Sequence, residues 1–228
     1  PEFELKLPIS GDVIRYRPFL VKEERMMMIL KEATDPNMVI QNLKKIVKNC
    51  IISDYNINNI TYTDFEYLFL NMRVRSMGET VDFNTQCECC NKPTPVSINL
   101  NDVCTNLEET DLPETDVMLT EDIGVKVCPL KLRDAAAASA IAEKDSVQAI
   151  MVFIEKVYTK DNVYDFSEAT ERERVAFVDS LSLKHVEMIM ETINKFPKLK
   201  TKTNVTCVNC GESFDFEAEG LENFFTSA

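Results

Sequence analysis

The sequence has no tryptophan, one histidine and five glycines in 228 residues. So little glycine argues against a turn-dense all-β sandwich, and no Gly-rich loop is available to cradle a phosphate. No Walker-type loop, Gly-x-Ser-x-Gly elbow or dinucleotide fingerprint occurs. The single histidine, His185, lies between Leu183 and Met188 in a helical pattern, where an isolated imidazole is ordinarily a core-edge or surface residue. Basic residues are also scarce, 25 against 38 acidic, for a net charge of -13. A net negative surface repels phosphate backbones, so nucleic acid is not an expected partner. Lys195, Lys198, Lys200 and Lys202 form a short basic stretch that reads as a solvated connection. Long apolar runs are missing too. Nothing approaches the roughly 20 residues that span a bilayer, and the opening PEFELKLPIS has neither the charged nor the apolar region of a secretory signal. A reducing cytoplasm is therefore the expected setting, and there eight cysteines point to metal or free thiols before disulfides.

What is present is ordinary globular material, 45% hydrophobic and 28% charged, in a chain long enough to bury a core. Residues 1–17 alternate apolar and polar positions, as a short strand or extended arm does. A Met-rich helix is expected over 19–33, followed by one that Asp35 caps with Pro36 at its first position. The stripe of that second helix is Val39, Leu43, Ile46, Val47, Cys50 and Ile51. Thr63 and Glu66 have capping-box spacing before a further helix carrying Phe65, Leu68, Phe69 and Met72, with Gly78 past its end. Strands are expected at 80–86, 94–100, 123–130, 202–206 and 212–217. The acidic stretch 101–122 reads as a loop. Helices are expected over the Ala-rich 131–143, from Asp145 or Ser146 through Val157, after Thr170 with Glu173, and from Ser182 to about Lys195. A short terminal helix would carry Leu221, Phe224 and Phe225.

Two Cys-x-x-Cys motifs stand far apart in this pattern. Asn84-Thr-Gln-Cys87-Glu-Cys-Cys90 and Asn204-Val-Thr-Cys207-Val-Asn-Cys210-Gly each sit between strand-like segments. A strand, a tight turn with two cysteines and a returning strand is the half-site of a zinc ribbon. Two halves supply Cys87, Cys90, Cys207 and Cys210, the closed tetrahedral set of one structural zinc per chain. Neither half fills the coordination shell alone, so the metal would staple distant segments. Buried or idle thiols are the plainer alternative. A redox pair would want its motif at a helix N-terminus, and neither motif clearly opens a helix. Cys89 is a candidate substitute ligand, but its spacing does not match the second motif. Cys50, Cys104 and Cys128 read as ordinary residues.

The expected fold is α+β, mostly helical, with short antiparallel strands forming a split zinc-ribbon-like module of four cysteines. It divides into an N-terminal arm and helical region (1–79), a first knuckle hairpin (80–100), an acidic loop and helical region (101–200), and a second knuckle hairpin with a C-terminal helix (201–228). The knuckles are expected to join in one module. A closed four-cysteine site leaves no open position for substrate. Acidic pairs such as Glu108/Glu109 and Glu121/Asp122 read as solvated surface. No catalytic residue, cofactor-binding residue or small-molecule substrate is assigned, and the chain reads as a non-enzyme. The Met26–Met28 stripe and the terminal Leu221–Phe225 segment are core or docking surfaces. A zinc-ribbon nucleic-acid adaptor and a thiol oxidoreductase are the competing readings.

The string Met72-Arg-Val-Arg-Ser-Met-Gly-Glu79, running from a helix end into a strand and a Cys-x-x-Cys, resembles the baseplate hub and hub-assembly proteins of T-even-type contractile-tailed phages. Its sharpest part is Arg73 to Glu79, and the resemblance extends from the Pro8–Pro18 segment through the second knuckle. It implies a structural or assembly protein of a tail baseplate, with other hub proteins as partners. Its place would be the cytoplasm of an infected bacterium, or the tail baseplate of the virion.

Overall fold

The computed structural model describes residues 1–30, 36–108 and 111–220. The chain opens with β1 (Phe3–Lys6), β2 (Val13–Tyr16), α1 (Val21–Leu30), α2 (Pro36–Cys50) and α3 (Tyr62–Met77), then β3 (Thr80–Gln86), β4 (Pro93–Asn99) and α4 (Leu100–Glu108). Next come β5 (Asp116–Met118), β6 (Ile123–Val127), α5 (Ala135–Ala142), β7 (Ile154–Thr159), β8 (Val163–Asp165), α6 (Glu171–Asp179) and α7 (Leu183–Asn194). β9 (Lys200–Thr206) and β10 (Ser213–Glu219) come last. The architecture mixes helices with short strands, and every strand pairing is antiparallel. Three sheets are two-stranded hairpins, β1–β2, β3–β4 and β9–β10, and one is four-stranded in the order β5-β6-β7-β8. The chain forms two compact units. The first takes Pro1–Ile57, Thr63–Thr110 and the chain from Lys198 onward, and the second takes Asn58–Tyr62 and Asp111–Pro197. No helix among the described residues is long and apolar enough to cross a membrane.

The centre of the first unit is α3. Every residue from Asp64 to Leu70 is buried, so the helix is enclosed on all sides and carries no single stripe. The expected stripe of Phe65, Leu68, Phe69 and Met72 is buried, but Tyr67 and Leu70 are equally enclosed. The Asp64 carboxylate accepts the backbone N–H groups of Ile9 and Ser10 at 2.8 and 3.0 Å. The turn of the β1–β2 hairpin is thereby fixed to this helix by two charge-assisted bonds. The helix begins at Tyr62, one residue before the Thr63 expected as its cap. At the other end Gly78 takes φ +98° and donates to the Val74 carbonyl, the left-handed stop that glycine adopts without strain. Ser76 accepts the Phe19 N–H at 2.7 Å, Arg75 lies 4.9 Å over the Phe3 ring, and Arg73 donates to the Gly78 carbonyl. The string Arg73–Glu79 is therefore occupied with local structure.

The acidic stretch after β4 departs from expectation. Its first part is α4, whose Leu100, Val103 and Leu107 are buried at the i, i+3, i+7 spacing of a helical face. Asn99 Oδ1 accepts the Asn101 N–H at 2.9 Å, a cap that frees the chain to turn. Burial of one face outweighs acidic composition. The Asp35 cap and the terminal helix of Leu221, Phe224 and Phe225 fall outside the described residues.

The second unit packs helices and a 3-10 turn on the four-stranded sheet around Val117, Val125, Val127, Ile150, Ile154, Phe166, Val178 and Ile189. The expected helix through Val157 is corrected here. A 3-10 turn runs over Gln148–Phe153 and gives way to β7, in which Val157 pairs with Val125 and Ile154 with Val127. The β-branched Ile154 and Val157 pack against their cross-strand partners in the pleated sheet, which offsets the weak helical periodicity. Gly124 in β6 admits the Tyr158 ring from β7, since a Cβ there would collide with it. The expected caps are in place. Thr170 and Glu173 form a reciprocal capping box at α6, and Ser182 forms one at α7 with His185 as its partner.

One buried ion pair ties together the entry to the first unit. Arg17 donates to both Glu23 carboxylate oxygens, at 3.1 and 3.4 Å, and to the carbonyls of Pro18 and Asn49. Glu23 is fully buried and also accepts the Leu20 N–H at the start of α1. Burial opposes its ionisation, but the Arg17 and Leu20 hydrogen bonds prevail and hold its carboxyl below the ordinary value of 4.5. Arg17→Met would leave this buried charge with only the solvent-exposed Lys22, at 3.5 Å, and the Leu20 N–H, and should cost about 3 kcal/mol in chemical denaturation at neutral pH. A carboxyl depressed in the fold contributes stability above its unfolded value that is lost as pH falls through the folded one. The gap between Arg17→Met and the unaltered chain should therefore narrow as pH drops below about 4.5, and a constant gap would reject the assignment.

Candidate metal centre

The hairpins β3–β4 and β9–β10 are built to one plan. Each pairs two seven-residue strands, with Gln86 opposite Pro93 and Thr206 opposite Ser213 at the inner ends. The connecting loops, Cys87–Lys92 and Cys207–Glu212, share their hydrogen bonds. Cys87 N–H donates to the Lys92 carbonyl and Asn91 N–H to Cys87, while Cys207 N–H donates to Glu212 and Gly211 N–H to Cys207. The fifth loop position is left-handed in both, φ 56° at Asn91 and 76° at Gly211. Asparagine and glycine are the residues that tolerate that conformation. Each loop folds the two cysteines of its Cys-x-x-Cys motif onto one side.

The two loops meet within the first unit. Phe83 and Phe216 bring ring centroids to 5.2 Å between the hairpins, and Asn209 donates its side-chain N–H to the Pro93 carbonyl. The Cys87 and Cys210 sulfurs are 3.7 Å apart, as are those of Cys90 and Cys207. All four sulfurs lie within 4.8 Å of one another. Four sulfurs about 2.3 Å from a tetrahedral ion would sit about 3.8 Å apart, so the cluster can hold a metal ion. Cys87 and Cys207 are buried and Cys210 is exposed; the cluster seals on one side and opens on the other.

Cys207 is the most elaborately held. The Thr94 hydroxyl, fully buried, donates to its sulfur at 3.2 Å, and the Asn209 N–H donates at 3.3 Å. The Thr94 bond, assisted by backbone N–H groups of the loop, holds the Cys207 thiol down at about 5. Cys210 is pushed up: a backbone N–H favours its thiolate, but desolvation and the neighbouring sulfurs prevail. Thr94 and Asn209 were not legible as site residues, because a threonine in a strand and an asparagine in a loop carry no mark of what they face across the chain.

The remaining candidates are placed apart from the cluster. Cys89 is exposed and outside the four-sulfur group. Cys50 is buried at the end of α2, its thiol pushed up to about 11 by burial, and burial likewise raises Cys128. His185 is bound into the α7 cap. Met28 and Ile29 are exposed on α1, while Met27 is buried, so the methionine stripe divides between core and surface.

With this geometry in view, comparison with known proteins gives a class and then a relative. The model of the T4 bacteriophage base plate protein family matches residues 1–226, and the chain belongs to that family. It is 21% identical over 224 residues, covering 98% of each chain, to the baseplate hub assembly protein gp26 of Enterobacteria phage T4. No solved structure matches the chain significantly.

Thiol reactivity checks these placements. Brief iodoacetamide treatment of the native protein, read by peptide mass spectrometry, should modify Cys89 well before Cys50, since the thiolate and its access set the rate. Cys50 should react only on unfolding, and early labelling there would contradict its burial.

Proposed function

We propose that the chain is a non-enzymatic structural or assembly protein of a phage tail baseplate hub, and that one zinc ion on Cys87, Cys90, Cys207 and Cys210 staples the fold that its partners recognise. The family match along nearly the whole chain carries this reading. What the relative's name says of it, assembly of a baseplate hub, is here carried over to this chain. Its partners are then other baseplate proteins, and its setting is the infected cell during tail assembly or the finished tail.

The zinc rests on donor chemistry. Four thiolates in a compact set are the ligands of structural zinc, and closure by four cysteines leaves no position for a substrate. In this reading the hairpins of 80–100 and 201–228 act as one split zinc-ribbon-like module, joined across the acidic and helical region 101–200 and set beside the helical region 1–79. Binding at such sites contributes on the order of 10 kcal/mol in zinc-finger peptides, comparable with a whole domain's stability of roughly 5–15 kcal/mol. The nucleic-acid adaptor is disfavoured by the outer face of the second hairpin. There Lys202 is paired with Asp215 and Glu217, and Lys198 with Glu219, so that these lysines are neutralised by neighbouring acids and no basic face is presented.

The purified protein should hold about one equivalent of zinc. Chelation and Cys210→Ser should each lower its unfolding midpoint. Less than half an equivalent, with no effect of chelation, would refute the staple. Thr94→Val should keep the fold but weaken zinc roughly 10- to 100-fold in a chelator competition, as loss of a hydrogen bond to a ligand does. Affinity purification from phage-infected cells should bring down other tail proteins, and a chain that captures none would refute the assembly role.

A further inference from the structure

Two pairs of sulfurs stand 3.7 Å apart, Cys87 with Cys210 and Cys90 with Cys207, and both pairs join one hairpin to the other. Each pair has a sheltered and an accessible member. Cys87 and Cys207 are buried, Cys210 is exposed and Cys90 is partly exposed. The hairpins also hold each other through contacts that do not pass through a metal. Phe83 lies on Phe216, Asn209 donates to the Pro93 carbonyl, and the buried Thr94 hydroxyl donates to the Cys207 sulfur.

Thiols placed in this way are set for two-electron oxidation. The accessible sulfur meets the oxidant first, since thiolate character and access set the rate. A buried sulfur at 3.7 Å then stands ready to resolve it. The other cysteines are worse placed to intervene. Cys89 is exposed but lies outside the four-sulfur group, Cys50 is buried at the end of α2, and Cys128 belongs to the second unit.

We propose that the cluster is an oxidation site for a small peroxide, with Cys210 and Cys90 as the attacked sulfurs, and that its products are two disulfides, Cys87–Cys210 and Cys90–Cys207, which replace the metal as the link between the hairpins. This rests on the reading of the four cysteines as one metal site. With hydrogen peroxide, the Cys210 sulfur attacks one oxygen, the O–O bond breaks, and the departing hydroxide becomes water. The Cys87 sulfur then attacks the sulfenic sulfur of Cys210, the S–O bond breaks, and a second water leaves. Two thiols lose two electrons and two protons, and the peroxide is reduced to two waters. From the metal-bound form the protons come from solvent, and the ion leaves hydrated. A second peroxide acts in the same way on Cys90, with Cys207 resolving. A disulfide within one motif closes a very short loop, whereas these close separations of 123 and 117 positions, and the longer closure constrains the unfolded chain more. In the reducing cytoplasm the thiols persist and the metal is the staple. In a tail released from the cell the surroundings are oxidising, and the covalent link takes over.

The test oxidises the full-length protein with a few equivalents of hydrogen peroxide. Metal release is read with a chromogenic chelator, and the disulfides are mapped by non-reducing peptide mass spectrometry. Cleavage after Glu88 separates Cys87 from Cys90, and fragmentation of the linked peptides assigns each pair. Peptides joined through Cys87–Cys210 and Cys90–Cys207 are expected, with loss of the metal and reversal by dithiothreitol. Disulfides within the motifs, a major product through Cys89, or sulfinic acids without disulfide would each overturn the proposal. Cys89→Ser should leave the products unchanged. In that variant a 1,3-diketone trap present during oxidation should label Cys210 and Cys90 several-fold more than Cys87 and Cys207, and the reverse order overturns the assigned roles. The oxidised, metal-free protein should melt above the reduced, metal-free protein, and an equal or lower melting temperature overturns the replacement of the staple. If the purified protein carries no zinc, the metal reading falls, and oxidation of that same protein still decides the pairing. If it carries zinc but pairs within its motifs, the oxidation site falls and the zinc staple stands.

Discussion

Four sulfur atoms within 4.8 Å of one another are a demanding arrangement for a protein to build. Ionised together they repel, and each lost proton makes the next harder to remove. The opposed shifts of Cys207, downward, and Cys210, upward, express that conflict. The proposed zinc at the centre would resolve it by giving all four sulfurs the same partner. Each hairpin is two-stranded, and an isolated two-stranded sheet is marginal in water, so such a staple would add most where the hairpins have least of their own. Phe83 on Phe216 and the Asn209 bond to Pro93 add to the contact.

The rest of the first unit is organised from α3. Asp64 holds the turn of the opening hairpin, Ser76 holds the chain at Phe19, and Arg75 covers Phe3. One helix therefore anchors the first 20 residues and leads through Gly78 directly into the first cysteine hairpin. The arginines and serine of Arg73–Glu79, which bear the sharpest family resemblance, meet the chain's own residues. On α1, by contrast, Met28 and Ile29 are exposed.

Much of this was legible in the residues. The cysteine hairpins, their ligand-like spacing, the caps at Thr170 and Ser182, and the glycine after α3 all follow from local chemistry that acts within a few positions. The failures have a common origin in burial. Acidic composition concealed α4, although Leu100, Val103 and Leu107 mark its inner face. The apolar spacing of Ile150, Phe153, Ile154 and Val157 passed for a helix, although only pairing with Val125 and Val127 decides for a strand. Thr94 could not be found at all. Its role depends on a sulfur that is 113 positions away, and no local pattern encodes that distance.

The first unit is discontinuous, and its last hairpin follows the entire second unit in the chain. During synthesis, at about 5–20 residues per second, Cys87 and Cys90 leave the ribosome well before Cys207 and Cys210 exist. For a time on the order of ten seconds the early pair, with Cys89 beside it, lacks its partner cysteines and is open to adventitious metals and to oxidation, while the second unit has everything it needs to fold. The order of the chain thus delays completion of the first unit until translation is nearly finished. A truncated product would carry an intact second unit and an unfinished first one.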